Sequence, residues 1–330
     1  MIHAGCRLQD WTIGVLGYGN QGRAQALNLR DAGYQVYVGA RPSGPSAERA
    51  RKDGMSVVDP ADLGASCDLV ALLTPDETHE SLLGMLSGGS RVKAIVLAHG
   101  FVLRFQDPPL RDEWDVLLVA PSGPGTALRR EGRPGRIPAL IAVHRDWSGK
   151  AWERARAYAG AAGCSESALL ETTVAHEAEV DLFGEQVVLC GGLSALVRAA
   201  WEVLVEHGYS PELAYLECVH QVGLTSDLLT RYGIAGMRER ISSVALYGDL
   251  TRGPRLITAK TRATMAEILG EIRDGRFRLE WEREARAGFP RNRAGVDESR
   301  QSAIERAGER IRRMAGYDPA GDPREVPGSG

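Results

Sequence analysis

W-T-I-G-V-L-G-Y-G-N-Q-G-R-A-Q-A-L-N-L-R-D-A-G, running from Trp11 to Gly33, decides how the chain begins to fold. A short apolar run enters Gly17, Gly19 and Gly22, and a helix-like pattern carrying Ala24, Ala26, Leu27 and Leu29 closes near Gly33. Strand, glycine turn and helix in that order make a dinucleotide-binding unit. The first glycine allows the tight turn, the second admits a pyrophosphate, and the third lets helix and strand pack closely. The phosphates would rest on the helix N-terminus, where backbone N–H groups lack intrahelical partners. The alternative is a merely structural glycine turn. The context favours the nucleotide, because a second strand, Gln35 to Val38, follows directly.

The end of that second strand reports on the cofactor. An NAD site usually places an acidic residue there for the ribose hydroxyls. This chain reads V-G-A-R-P-S-G-P-S instead. Arg41 offers a charged fork, and Ser43 and Ser46 offer hydroxyls, which suits a 2′-phosphate and predicts NADPH over NADH. A Pro/Gly/Ser surface turn with an incidental arginine is the bland alternative.

Further strands are expected at Asp68 to Leu73, Ala94 to Ala98, Val116 to Val119 and Ala139 to Val143, alternating with helical or loop segments as in an open α/β sheet. Ligands meet such sheets at the carboxyl ends of the strands. There the sequence sets T-P-D-E-T, then H-G-F with His99, then P-S-G-P-G-T with Ser122 and Gly125.

After about residue 180 the periodicity turns helical. The stretch E-V-D-L-F-G-E-Q-V-V-L-C-G-G, Glu179 to Gly192, sets Asp181 and Glu185 four residues apart at the mouth of a long helical pattern ending before His207 and Gly208. On one helix face such a pair aims two oxygen donors into one space and attracts a hard cation. The bland reading is a solvated acidic pair favoured by the helix dipole. Gly191 and Gly192 are expected to let another backbone approach closely. Ser210 and Pro211 signal the next helix start, and Glu217 and Gln221 repeat the four-residue spacing. Helical segments around Ile241, Met265 and Trp281 follow, and the Gly/Pro-rich tail from Gly316 is expected to be disordered. The expected organisation is therefore a nucleotide-binding domain over 1–180, a helical domain over 181–315 and a tail over 316–330.

Composition excludes other classes. Across 330 residues the net charge is −3, which gives no general basic surface for nucleic acid or anionic membrane. No basic leader precedes an apolar one, and no apolar run reads as a membrane span. The five cysteines are scattered and form no C-x-x-C pair, which predicts free thiols in a reducing cytoplasm.

Taken together, G-Y-G-N-Q-G-R-A-Q-A-L-N-L-R, A-H-G-F, A-P-S-G-P-G, P-A-L-I-A-V-H, D-L-F-G-E-Q-V-V-L-C-G-G, A-Y-L-E-C-V-H and Y-G-D-L-T-R-G-P resemble the ketol-acid reductoisomerase family, in its short form, up to about Met314. The resemblance implies a Rossmann-type parallel-sheet domain binding NADPH, a knotted all-α domain, and homodimers whose helices complete each other's active sites. It implies magnesium, an alkyl migration in an acetohydroxy acid, reduction of the resulting keto acid, and a place in branched-chain amino acid synthesis. Position by position, Asp181 and Glu185 match the family's primary metal carboxylates, Glu217 the first acid of a second pair, His99 an active-site histidine and Ser242 a substrate-contacting serine. The cofactor set comprises Gly17, Tyr18, Gly19, Asn20, Gln21, Gly22, Arg41, Ser43, Ser46, His99 and Gly125.

Two positions depart from the family pattern. Ser122 stands where the family has lysine, and Gln221 stands where it has a second glutamate. Thr126 also replaces a histidine, and Leu246 an acid. A neutral Gln221 removes one charge and one strong oxygen ligand, so a two-ion arrangement loses support. Serine cannot supply lysine's charge, and losing a positioned acid or base costs about 10²- to 10⁴-fold in rate. On sequence alone this ranks first an NADPH-dependent reductase of a small 2-keto acid or imine with weakened isomerisation, holding one magnesium through Asp181, Glu185 and Glu217. Ser242 would orient its substrate, and His99 or Ser122 would supply hydrogen bonds. A genuine ketol-acid reductoisomerase ranks second, and a non-catalytic nucleotide-binding relative third.

Overall fold

A computed structural model describes residues 8–130 and 132–317. The chain divides into two compact units between Val180 and Asp181. The first is built on an eight-stranded sheet of order β10-β9-β6-β5-β4-β1-β2-β3. Its strands are β1 (Thr12–Leu16), β2 (Gln35–Gly39), β3 (Ser56–Val58), β4 (Leu69–Leu72), β5 (Ala94–Leu97) and β6 (Asp115–Pro121). β7 (Arg129–Arg130) and β8 (Arg133–Pro134) form a separate two-stranded ribbon, and β9 (Ile137–Arg145) and β10 (Cys164–Glu171) complete the large sheet.

β1 runs parallel to β2 and β4, and β4, β5 and β6 continue the parallel set. Every residue of β1, β4 and β5 is buried, which explains why these strands read as unbroken apolar runs rather than alternating ones. Two hydrophobic cores contribute, one including Ile13, Val15 and Leu29 and the other Leu16, Val70 and Trp114. β9 departs from the expected pattern by running antiparallel to β6. β3 and β10, which the sequence reading omits, are the two edges of the sheet. β3 is only three residues long, and most of β10 is exposed or half-buried, so neither carries the buried apolar run that marks a central strand.

The glycine turn sits between β1 and α1 (Asn20–Asp31). Gly17 has φ +90°, a left-handed conformation open to glycine, and a Cβ on Gly22 would overlap the Gly17 carbonyl oxygen. A Cβ on Gly19 would meet nothing within 4 Å, so the middle glycine faces open space.

The second unit is helical throughout its described residues. Its first helix is longer than the sequence reading holds: the helical run is continuous from Val174 to Glu206. Asp181 and Glu185 therefore lie inside a helix and not at its start, which removes the macrodipole explanation for the pair. By length and composition this helix, which contains an 18-residue stretch of mean hydropathy 1.6 that is 6% buried, also matches a membrane span, contrary to the expectation that none would. The run also carries six carboxylates, Glu177, Glu179, Asp181, Glu185, Glu202 and Glu206, which count against lipid. Within the unit Trp201 packs with Ala214, Tyr215, Ala307 and Ile311. Ser210 caps the following helix, its Oγ accepting from Leu213 N at 3.2 Å. Later helices span Ser243–Leu256, Ala259–Arg273, Arg276–Arg286, Pro290–Gln301 and Ala303–Met314. Beyond Tyr317 the expected tail lies outside the described residues. The four described cysteines, Cys67, Cys164, Cys190 and Cys218, are free, and burial pushes the thiols of Cys67 and Cys164 up to about 12.

Candidate functional site

The first unit supplies a cradle at the carboxyl ends of its strands. α1 starts at Asn20 with no side chain capping its first turn, which leaves N–H groups facing the space beside Gly19. Asn20 and Gln21 tie that turn to the loop after β6: Asn20 Oδ1 accepts from Gly125 N, and Gln21 Nε2 donates to Gly123 O at 2.8 Å. A Cβ on Gly125 would overlap the Asn20 carbonyl oxygen, so this glycine is needed for the loop's close approach.

Tyr18, by contrast, turns its side chain into the core and is 1% exposed. Its hydroxyl donates to Asp53 Oδ2 at 3.0 Å, and Arg23 grips the same carboxylate through Nε at 2.6 Å and Nη2 at 3.0 Å. Asp53 caps the C-terminus of α2 (Pro45–Lys52), so this clamp fixes the helix that carries Ser46. The Arg23 hydrogen bond holds the Asp53 carboxyl below its usual range, and burial with the nearby Asp53 charge pushes the Tyr18 phenol up. The Tyr18 side chain is thus turned away from the cradle and tethers the glycine turn to the end of α2. Arg41 and Ser43 are exposed on the turn after β2, and Ser46 is half-buried in the first turn of α2. Apart from a backbone bond between Arg41 O and Gly44 N, the turn leaves these donors toward solvent.

His99 follows β5 and is held from behind by a residue that the sequence reading does not single out. Glu177 is 2% exposed; its Oε1 lies 3.3 Å from His99 Nδ1, and its Oε2 accepts from Gly100 N at 2.7 Å. A carboxylate on Nδ1 fixes the tautomer and presents Nε2 outward. The A-H-G-F motif gives no hint of this partner, which lies on the helix Val174–Gly184 and far away in sequence. The glycine after His99 is the usable signal, because a Cβ at Gly100 would sit 2.8 Å from Glu177 Oε2. His79 is buried in the same unit, with Nε2 2.9 Å from Thr74 O, and burial lowers its affinity for a proton. Ser122 is exposed after β6, and its N–H donates to Pro138 O at 2.9 Å.

The second unit carries the acidic residues. Asp181 and Glu185 are both exposed, and Glu185 opens a five-residue π-helical turn, Glu185–Leu189. Glu217 lies in a second such turn, Leu216–His220, where a regular α-helix is expected from the spacing. Turns of this kind are rare and concentrate at functional sites. Gln221 Nε2 donates to Glu217 Oε2 at 2.7 Å, so these two side chains form a neutral-donor and carboxylate pair. Ser242 caps the helix Ser243–Leu256, its Oγ accepting from Ala245 N at 3.2 Å, which leaves its O–H free to donate elsewhere.

Exposed carboxylates with oxygen donors one turn apart fit a hard divalent cation in donor chemistry. Among the described residues, no three His, Cys, Asp or Glu side chains come together as a metal set. Neither pair alone makes a coordination shell, which needs further donors.

A Rossmann-type cradle joined to a helical unit bearing paired carboxylates defines a nicotinamide-dependent oxidoreductase. Comparison with known proteins makes this specific. A family profile for the acetohydroxy acid isomeroreductase NADPH-binding domain matches residues 7–168, and one for the ketol-acid reductoisomerase C-terminal domain matches residues 174–316. The chain is 45% identical over 304 residues to a ketol-acid reductoisomerase (NADP(+)) of Xanthomonas campestris pv. campestris, covering 91% of each protein. It is similarly 45% identical over 303 residues to one from Xanthomonas oryzae pv. oryzae, again covering 91% of each. A solved NADH-preferring ketol-acid reductoisomerase from an uncultured archean superposes with a TM-score of 0.87 at 38% identity, covering 93% of this chain and 95% of that one. The chain belongs to the ketol-acid reductoisomerase family and is an NADP-dependent oxidoreductase, with both family domains present.

Proposed function

We propose that the protein is a magnesium-dependent ketol-acid reductoisomerase that converts acetohydroxy acids with NADPH, in branched-chain amino acid synthesis. The carrying observation is 45% identity across 91% of the chain to proteins of that name, through both domains. This reverses the ranking drawn from the sequence alone, in which two substitutions outweigh the rest of the match. When bound, magnesium would polarise neighbouring substrate oxygens and NADPH would supply the hydride.

The chain's own residues divide the remaining work. Asp181 and Glu185 would hold the ion, with Glu217 contributing and Gln221 fixing Glu217's carboxylate by its amide. His99, oriented by Glu177, would hold or pass a proton at Nε2. Ser122 would donate one hydrogen bond to a substrate oxygen, and Ser242 would donate another. Arg41, Ser43 and Ser46 support NADPH as the preferred cofactor, although one solved relative prefers NADH.

A second copy of the chain is the proposed partner. The helical unit exposes Leu189, Leu196, Val203, Leu224 and Ile234, with Leu189, Leu224 and Ile234 each more than 60% exposed. That apolar surface needs a cover, and the Asp181–Glu185 pair, incomplete within one chain, needs further donors. Free thiols support a reducing, cytoplasmic setting.

The second reading is a reductase with weakened isomerisation, acting on another 2-keto acid or an imine. Ser122 in place of a lysine and the Gln221–Glu217 hydrogen bond favour it. NADPH oxidation with acetolactate and, separately, with 3-hydroxy-3-methyl-2-ketobutyrate, each with magnesium and with chelator, separates the two. Turnover of both substrates supports the family reaction. Turnover of only the second, which bypasses the migration, supports the reductase; turnover of neither rejects the family reaction.

A further inference from the structure

Gly191 and Gly192, expected to let another backbone approach closely, are approached by the backbone of their own helix. They face carbonyls of their own helix. A Cβ on Gly192 would overlap the Val187 carbonyl oxygen, and one on Gly191 would overlap that of Gln186. Each contact reaches five positions back, across the wide turn Glu185–Leu189. Cys190 N donates across the same span to Glu185 O at 2.8 Å, and Cys190 itself takes φ −108° and ψ −65°. An α turn would meet no such clash, since alanine is the best residue for it. The second wide turn, Leu216–His220, has no such dependence: Gly223 just beyond it has nothing within 4 Å of an added Cβ.

From this we infer that Gly191 and Gly192 are positioning residues for the Asp181–Glu185 pair, holding open the wide turn that sets the direction of its carboxylates. The inference rests on the magnesium reading proposed above. A wide turn holds one residue more than an α turn. Closing it without removing a residue would rotate one flank against the other by about 100° and shift it by about 1.5 Å along the axis. The following helix, Gly191–Glu206, is anchored by Trp201, 6% exposed in its cluster with Ala214, Tyr215, Ala307 and Ile311. The carboxylates would be displaced relative to that anchor. Metal coordination tolerates about ±0.2 Å, so the pair would leave its place in the shell.

The test measures Mg²⁺ binding by calorimetry to the full-length protein in four forms: wild type, Asp181→Asn, Gly192→Ala, and Gly192→Ala with Val188 deleted. Val188 is 57% exposed within the wide turn, and removing it takes out the extra residue while keeping both flanks in phase. Gly192→Ala is expected to weaken Mg²⁺ about 10- to 100-fold, with NADPH binding unchanged, and the deletion is expected to restore affinity to within a few-fold of wild type. Wild-type affinity in Gly192→Ala would overturn the inference, as would failure of the deletion to restore it. If Gly192→Ala does not fold, the deletion variant decides: recovery of fold and Mg²⁺ binding supports the inference, and continued misfolding overturns it. Absence of Asp181-dependent Mg²⁺ binding in the wild type is a separate result, and it rejects the magnesium reading itself.

Discussion

Replacing Glu177 probes the link between a buried structural carboxylate and a candidate proton-handling histidine. Glu177→Ala removes the acceptor of Gly100 N, 2.7 Å away, and the partner of His99 Nδ1, 3.3 Å away, in a place only 2% exposed. A buried N–H left without an acceptor costs about 1–3 kcal/mol. For a domain of this size each kcal/mol lowers the melting temperature by about 2–4 °C, so a drop of about 2–12 °C is expected. Glu177→Gln separates stability from chemistry. Its amide oxygen can still accept from Gly100, but its NH₂ would face His99 Nδ1 and favour the opposite tautomer. Glu177→Gln should therefore melt within about 3 °C of wild type while losing about 10²-fold or more in kcat, the lower range for a misplaced acid or base. Calorimetric melting and steady-state kinetics with acetolactate check both. A Glu177→Gln variant with wild-type kcat would refute the orienting role, and a Glu177→Ala variant with wild-type melting would refute the buried-acceptor argument.

Arg41→Asp should reverse the cofactor preference, raising KM for NADPH by at least about tenfold through loss of a charged hydrogen bond while helping NADH; kinetics with both cofactors check it. Asp53→Asn should destabilise the fold by about 1–2 kcal/mol at neutral pH, because Arg23 and the Tyr18 hydroxyl lose a charged partner. The Asp53 carboxyl is held below its usual range, so the stabilisation is full above the unfolded value of about 4 and disappears as pH falls through the lower folded value. Denaturant titrations should show a constant gap between variant and wild type from pH 7 to about 5, narrowing below about 4. Asp181→Asn should raise the magnesium required for half-maximal activity by about tenfold or more, measured by metal titration of NADPH oxidation.

Much of the fold is written in local patterns. The Trp11–Gly33 stretch specifies strand, turn and helix by itself, because glycine conformation and apolar spacing act within a few residues. The buried central strands announce themselves as apolar runs. β3 and β10 do not, since exposed edges need no such runs. The π-helical turns at Glu185 and Glu217 are invisible to a spacing argument, which assumes one helical period throughout. Gly191 and Gly192 are legible as special but point to the wrong neighbour, since glycine shows that something is close without saying what. Glu177 escapes a sequence reading because its significance comes from a contact 78 residues away in sequence. Gln221 and Ser122 stand out at once, yet two substitutions weigh less than the rest of the chain's match to the family.

The proposed function requires this chain to perform the alkyl migration with serine at position 122. Isotope-resolved NMR of the product from ¹³C-methyl-labelled acetolactate, with NADPH and magnesium, reads that step out. The expected product is 2,3-dihydroxy-3-methylbutanoate with two methyl groups on one carbon, formed in step with NADPH oxidation and abolished by Asp181→Asn. NADPH oxidation that yields an unrearranged carbon skeleton, or an unchanged substrate beside a folded, NADPH-binding protein, would contradict it.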